Sequence, residues 1–544
     1  MSPRQRWTLV ATIIGSGMVF LDGTVVNVAL PRIGRELPAS FIGVLEGQTY
    51  VVSGYLAVLA ALLILAGALS DHYGRRRVFA IGLTSFGATS VLCGLSPTLE
   101  LLVVFRLLQG AAGALLVPGS LSIITQTFEG PARARAFGIW AAATSGLVVL
   151  GPITGGVLVD TIGWRVAFLI NVPLALAALA ATLRHVQESR REGTSGTFDW
   201  LGSVVATLAV GGLAFGVIRG EEQAWADPVA WISLAIGAVS LVAFPILMAV
   251  RPHPLVPLEI FRSRAFATIN LATFFIYGAL YITQSYQGLL LQGVLGYTAT
   301  AAGAALGLPV GILLTILSTR VGTVAGRIGA RPFLVAGPLL MAAGLLWFAR
   351  IPIDSAAWVA AIGDPATLVP PGDALIDVLP AMLLFGLGIA LVVAPLTSTL
   401  MNSIPSSRAG LGSAINNSIS RVGAPLIGAL IFIAISATFY SVLGSLAGLD
   451  TSAQEVRQAF APLNAPRGDR SPLELAAARE ASVEAFSQAM IVSAGLLAVG
   501  GAVSWIGLRG TRAAGESPES GDAAEPEEAA GPSAEGTRGE PEPA

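Results

Sequence analysis

The chain has 544 residues, of which 54% are hydrophobic and only 12% charged, with a mean hydropathy of +0.74. Roughly 25% charged residues is usual for a soluble domain, so an ordinary water-soluble protein is excluded. The formal net charge of −2 conceals where the charges sit, and no nucleic-acid partner is expected. All 31 basic residues are arginines, a matter of codon usage and not of chemistry. The single cysteine, Cys93, lies in an apolar run, which excludes an intramolecular disulfide and a thiolate metal site.

A bilayer crossing needs roughly 20 apolar residues, and about fourteen stretches meet that length. They lie near 8–30, 47–69, 78–96, 99–118, 135–159, 165–184, 200–218, 229–250, 266–291, 302–320, 332–350, 375–396, 411–440 and 486–508. The first is too long for the apolar core of a secretory leader and contains Asp22 and Asn27, so it reads as a spanning helix. Arginines collect in every second loop: Arg75–Arg77, Arg133 and Arg135, Arg184 to Arg191, and Arg251 to Arg264. The series continues with Arg320 to Arg331, Arg408, and Arg509 with Arg512. The intervening loops are acidic or poor in arginine, as at Glu221–Glu222 and from Asp354 to Asp377. Cytoplasmic loops carry the excess of positive charge, which predicts an even number of spans with both termini cytoplasmic.

A long polar outer loop is predicted over about 441–485. Within it, Leu473–Phe486 has a helical pattern suited to lying on the membrane surface. Residues 510–544 are Ala, Glu, Gly, Pro and Ser, too polar to bury a core, and read as a disordered cytoplasmic tail.

The loop GALSDHYGRRR joins the second and third spans and contains Gly67, Asp71, Gly74, Arg75 and Arg76. It resembles the signature loop of the major facilitator superfamily, with His72 where that pattern has Arg. GTVAGRIGAR echoes it in the second half: Gly322, Gly329 and Arg331 match, and Gly326 replaces the Asp. LDGTVVNVALP (Leu21 to Pro31) resembles the first-helix signature of drug:proton antiporters with fourteen helices. FRLLQGAAGA (Arg106, Gln109, Gly110), GLVVLGPITGG (Gly146 to Gly156) and WRVAFLINVP (Trp164 to Pro173) resemble further motifs of the same family, the second marking antiporters. The resemblance implies an all-α polytopic membrane protein of two six-helix bundles. These would be residues 1–190 and 263–509, with two extra helices inserted at 191–262.

Several residues carry candidate chemistry. A carboxylate within a span is rare and marks a substrate or proton path more often than a structural accident, which singles out Asp22. Desolvation there is expected to favour its protonated form, and the family resemblance associates the matching Asp with proton coupling. Arg106, near the middle of the fourth span, must find a carboxylate, a carbonyl or water. It either biases protonation of a nearby acid or ties helices together. Gly146, Gly151, Gly155 and Gly156 are expected to bring a neighbouring backbone close, with Pro152 kinking the helix. The resemblance assigns a conformational latch to Gly67, Asp71, Gly74, Arg75 and Arg76.

Tyr277, Tyr281 and Gln284 share one helical face, either a cavity for lipophilic, cationic compounds or an interfacial anchor. Asn417 and Arg421 share another. Arg421 either favours anionic or zwitterionic groups in a cavity, unless Asp22 or Glu46 neutralises it, or is a structural tie near the cytoplasmic end of its helix.

The expected function is a proton-driven exporter of lipophilic drug-like compounds, acting by alternating access. An exporter of an endogenous antibiotic, siderophore or lipid is the alternative. A membrane enzyme or receptor is a remoter one, since the sequence has neither zinc-ligand spacing nor a nucleotide loop. The expected partners are substrate, protons and lipid. No cofactor, metal or ATP is expected, and the protein is expected to be a monomer in a bacterial inner membrane.

Overall fold

The computed structural model describes residues 1–189, 199–252, 254–404 and 409–509. The side chain of Asp71, the linker at 190–198, Arg408 and the tail from 510 lie outside the described residues. Among the described residues there are seventeen α-helices and no strand.

In chain order α1 is Pro3–Glu36, α2 Val44–Tyr73, α3 Arg75–Gly94, α4 Leu99–Ala114, α5 Leu116–Thr127 and α6 Gly130–Thr161. Then come α7 Val166–Leu169, α8 Asn171–His185, α9 Trp200–Glu222, α10 Pro228–Val250, α11 Arg264–Leu289 and α12 Ala299–Ile328. The chain continues with α13 Arg331–Phe348, α14 Leu379–Asn402, α15 Ala409–Ala447, α16 Gln454–Ala459 and α17 Pro472–Gly507. Every predicted span falls on a helix, and a chain in lipid must satisfy its backbone within the helix. Thirteen helical stretches among the described residues are long and apolar enough to cross a membrane. Helix α6 adds a further run of 32 residues.

Capping residues set several boundaries. Ser2 with Gln5 opens α1 and Ser471 with Glu474 opens α17, each a reciprocal capping box. The two related arginine loops also share a backbone device. Gly74 (φ +104°) ends α2 one residue before Arg75 opens α3, and Gly329 (φ +92°) ends α12 two residues before Arg331 opens α13. Only glycine takes up such angles without strain, and this lets each pair of helices turn back at once.

One expectation is corrected between α15 and α17. Leu473–Phe486 is not a surface helix but the first part of α17, with Ala477, Ala478, Ala481, Ser482, Ala485 and Phe486 buried against the protein. Small side chains on one face let the helix pack closely against its neighbours. The loop between α15 and α17 accordingly shortens to 448–471, interrupted by α16.

Helices α1 to α8 pack mainly on one another, α1 lying against α5, α6 and α8, and α3 against α4 and α8. Likewise α11 packs on α15 and α17, and α13 on α14 and α17. The α9–α10 hairpin touches α2 and α15 through α9. Helix α10 leaves Trp231, Ile232, Ile236, Val239, Val242 and Ile246 exposed, as a lipid-facing helix does.

The two sets of helices meet along α1–α11, α2–α15 and α6–α12. Hydrogen bonds between them gather at one end. The Gln48 and Asn464 side-chain amides exchange two bonds of 2.9 Å. Ser285 donates to Asn27 Oδ1 at 2.8 Å, Gln292 to the Val28 carbonyl at 3.0 Å, and Arg467 to the Gly34 carbonyl at 2.6 Å. Asp160 of α6 accepts from the backbone N–H groups of Ala299 (3.1 Å) and Thr300 (2.7 Å), so it sits on the positive end of α12. Nearer the middle, Ser418 donates to the Ala60 carbonyl at 2.8 Å.

Candidate functional site

The first span carries Asp22 into the interior, where it is fully buried. Arg106 of α4 donates from Nη1 to Asp22 Oδ2 at 2.5 Å. The same nitrogen donates to Gln109 Oε1 at 2.8 Å, and Nε donates to the Val51 carbonyl at 3.0 Å. Gln109, one turn further along α4, donates to Asp22 Oδ1 at 3.1 Å and to Ser90 Oγ at 2.8 Å. Asn171, the first residue of α8, donates to the same Oδ1 at 2.9 Å. A buried charge needs a partner and further hydrogen bonds to offset its lost hydration, and Asp22 has both.

Tyr55 of α2 covers this network, with the Arg106 guanidinium carbon 4.0 Å from its ring centroid. Helix α4 reaches so close because Gly110 has no side chain: a Cβ there would lie 2.6 Å from the Tyr55 carbonyl oxygen. The Tyr55 hydroxyl is buried without a hydrogen-bond partner among the described residues. It lies within the electrostatic reach of Asp22, Arg106, Arg421 and Tyr281, at the junction of the two helix sets.

Asp22 and Arg106 are therefore brought together as one unit. Glu46 stands apart as the cap of its own helix. Its Oε2 accepts from the Gly43 N–H at 2.9 Å and faces Arg219 of α9 at 3.4 Å. Of the α6 glycines, Gly151 and Gly155 admit Thr24 and Val25 of α1, while Gly156 admits the backbone of Ala299 and Thr300. Gly303 of α12 reciprocates against the Pro152 carbonyl. Gly146 faces open space, so the close packing is made by the last three glycines without it, and it divides between two helices.

The arginine loop bonds within its own helix set. The Glu188 carboxylate accepts from the backbone N–H of Arg76 (3.2 Å) and Arg77 (3.1 Å). The Arg76 side chain donates to the Leu183 carbonyl at 2.7 Å, and the Arg75 N–H donates to the Ser189 carbonyl at 3.0 Å. Gly67 faces Pro118 of α5.

On α11, Tyr277, Tyr281 and Gln284 are half-buried on a common face, with the two rings 6.1 Å apart. Asn417 donates back to the Ser413 carbonyl of its own helix at 3.0 Å. Its neighbour Asn416 joins α15 to Asn270 (3.1 Å) and Thr273 (2.9 Å) of α11. Arg421 is only 5% exposed and approaches Phe20 of α1, 5.6 Å from guanidinium carbon to ring centroid.

Sequence reasoning missed Tyr55 and Ser90 as members of this cluster and quoted Asn171 only as part of a motif. A polar Asn opening an apolar run was the available signal for Asn171. An aromatic or serine in a spanning helix carries none.

The family model of the Major Facilitator Superfamily matches residues 12–429. Multidrug resistance protein Stp of Mycobacterium tuberculosis is 35% identical over 447 residues, covering 80% of this chain and 78% of the relative. The tetracenomycin C resistance and export protein of Streptomyces glaucescens is 33% identical, covering 77% of this chain and 74% of its own. The puromycin resistance protein of Streptomyces alboniger is 32% identical, over 78% and 80%. Among solved structures, an inward-facing bacterial homolog of the human lysosomal transporter Spinster superposes with a TM-score of 0.61. It covers 94% of this chain and 98% of its own, at 17% identity, a likeness of fold. The chain belongs to the major facilitator superfamily.

Proposed function

We propose that the protein exports lipophilic, drug-like molecules across the cytoplasmic membrane of a bacterium, driven by protons moving inward. The observation that carries this reading is the similarity over some three quarters of the chain to proteins named for multidrug, tetracenomycin and puromycin resistance. The buried Asp22–Arg106 pair supports proton coupling, because a carboxylate at membrane depth is the group a proton carrier requires. Counting α6, the helices make fourteen crossings, in two six-helix bundles with α9–α10 inserted and both termini in the cytoplasm. In that orientation the Gln48–Asn464 and Asp160–α12 bonds close the outer end. Export then requires these bonds to part while the cytoplasmic end closes. The arginine loop is the latch for that second state. Asp71→Asn is expected to cut transport while membrane insertion continues.

A second reading, export of a metabolite the cell itself makes, is favoured by the similarity to the Streptomyces glaucescens protein, which is named for both resistance and export. Both readings are tested in proteoliposomes holding the full chain under an imposed proton gradient. A panel of lipophilic compounds is screened for substrate-dependent proton flux and uptake against a concentration gradient. Flux that no compound in the panel alters would overturn proton-coupled export.

A further inference from the structure

Resting on the exporter reading, we propose that the transported molecules carry an anionic or acidic group that pairs with Arg421. Arg421 lies within α15, is 5% exposed, and makes neither an ion pair nor a hydrogen bond to any described residue. Its Nε is buried with no acceptor. Guanidinium groups remain charged in proteins, and a buried cation left alone is costly. The α15 face that carries it turns toward α1 and α2, where it approaches Phe20 and lies within reach of Tyr55.

Among the described residues no carboxylate pairs with it. Asp22 is engaged by Arg106, Gln109 and Asn171. Glu46 is engaged by the Gly43 N–H and Arg219. Along α2, Glu46 lies nine residues from Tyr55 and Asp71 sixteen, about 13 Å and 24 Å of helix in opposite directions. Helices α11, α12, α13, α14 and α15 contain no Asp or Glu. The acids of α17 (Glu474, Glu480 and Glu484) all fall in its first thirteen residues, and those of α9 (Glu221 and Glu222) at its very end.

With Asp22 and Arg106 cancelling, Arg421 is an uncompensated positive charge among the described residues at the junction of the two helix sets. A lipophilic cation entering there meets repulsion and finds no carboxylate. A lipophilic anion finds a planar donor that matches a carboxylate or an acidic phenolate. Tyr277 and Tyr281, half-buried nearby on α11, offer apolar surface for the rest of the molecule.

The test uses the full chain in proteoliposomes with fluorescein and rhodamine 123, which share a xanthene scaffold but differ in charge. Wild type is expected to move fluorescein faster. Arg421→Gln should lower the ratio of fluorescein to rhodamine rates about tenfold, the scale of a lost charged hydrogen bond, and Arg421→Lys should recover part of it. A wild-type preference for rhodamine 123, or an Arg421→Gln variant that loses both rates equally, would overturn the proposal. Should neither dye move, fluorescence anisotropy of dye binding to purified protein decides. Fluorescein binding weakened about tenfold by Arg421→Gln supports it, and no fluorescein binding overturns it. Charge-selective binding without any proton flux across the panel would instead count against proton-coupled export.

Discussion

Arg106 Nη1 stands 2.5 Å from Asp22 Oδ2, across 84 residues of chain, with the two side chains 1% and 0% exposed. Breaking a buried ion pair on one side leaves the other charge uncompensated and costs on the order of 3 kcal/mol or more. Asp22→Asn and Arg106→Gln should each lower the melting temperature of the purified protein. The double variant should be less destabilised than the sum of the two. Strict additivity would show that the pair is not a unit.

Asp22→Asn also removes the titratable group while keeping its size and hydrogen bonding. Substrate should still bind, and uptake against a gradient should stop. Asp22→Glu should keep part of the activity at a shifted pH optimum. Continued concentrative uptake by the Asn variant under a proton gradient would rule out Asp22 as the coupling site.

The α6–α12 contact depends on glycines that meet backbone, so Gly156→Val should block close approach of these helices. Overpacking of this kind costs about 1–3 kcal/mol. Transport and the melting temperature of the purified protein should both fall. Gly146→Ala, where a Cβ meets nothing within 4 Å, serves as the control and should leave both unchanged.

The positive φ of Gly74 and Gly329 sets another pair of expectations. Gly74→Ala and Gly329→Ala should each destabilise by about 1–2 kcal/mol, the cost of a left-handed backbone for a residue with a Cβ. Gly326→Ala, within α12 and with open space around it, should be neutral or slightly stabilising. Thermal melting in detergent compares the three directly.

Gln48 and Asn464 tie α2 to the outer loop, and on the proposed cycle that tie must open. On a Cys93→Ser background, Gln48→Cys with Asn464→Cys should form a disulfide on oxidation that arrests transport, and reduction should restore it. Full-rate transport with the crosslink complete would mean that this end never opens.

Much of the architecture was legible locally. Spanning helices announce themselves by unbroken apolar length, because lipid leaves the backbone no other partner. The arginine alternation carries the expected orientation. The repeated glycine–arginine loops were visible too, since a left-handed residue between two helices requires glycine whatever surrounds it. The suspicion attached to Asp22 and Arg106 also came from sequence, as charge at membrane depth is rare.

Local pattern thus yields the class, the helices and the short list of residues too polar for their depth. Tertiary structure alone decided how those residues are shared out. It gave Asp22 three donors from α4 and α8, kept Glu46 as a helix cap, and left Arg421 without a counter-ion among the described residues. It turned Gly151 and Gly155 toward α1 but Gly156 toward α12, and it drew Leu473–Phe486 inward as part of α17. The reason is one of range. Apolar length and glycine backbone preference act over a turn or two of chain, whereas the partner of a buried charge is set by which helices pack together, here 149 residues apart for Asp22 and Asn171 and 173 for Glu46 and Arg219.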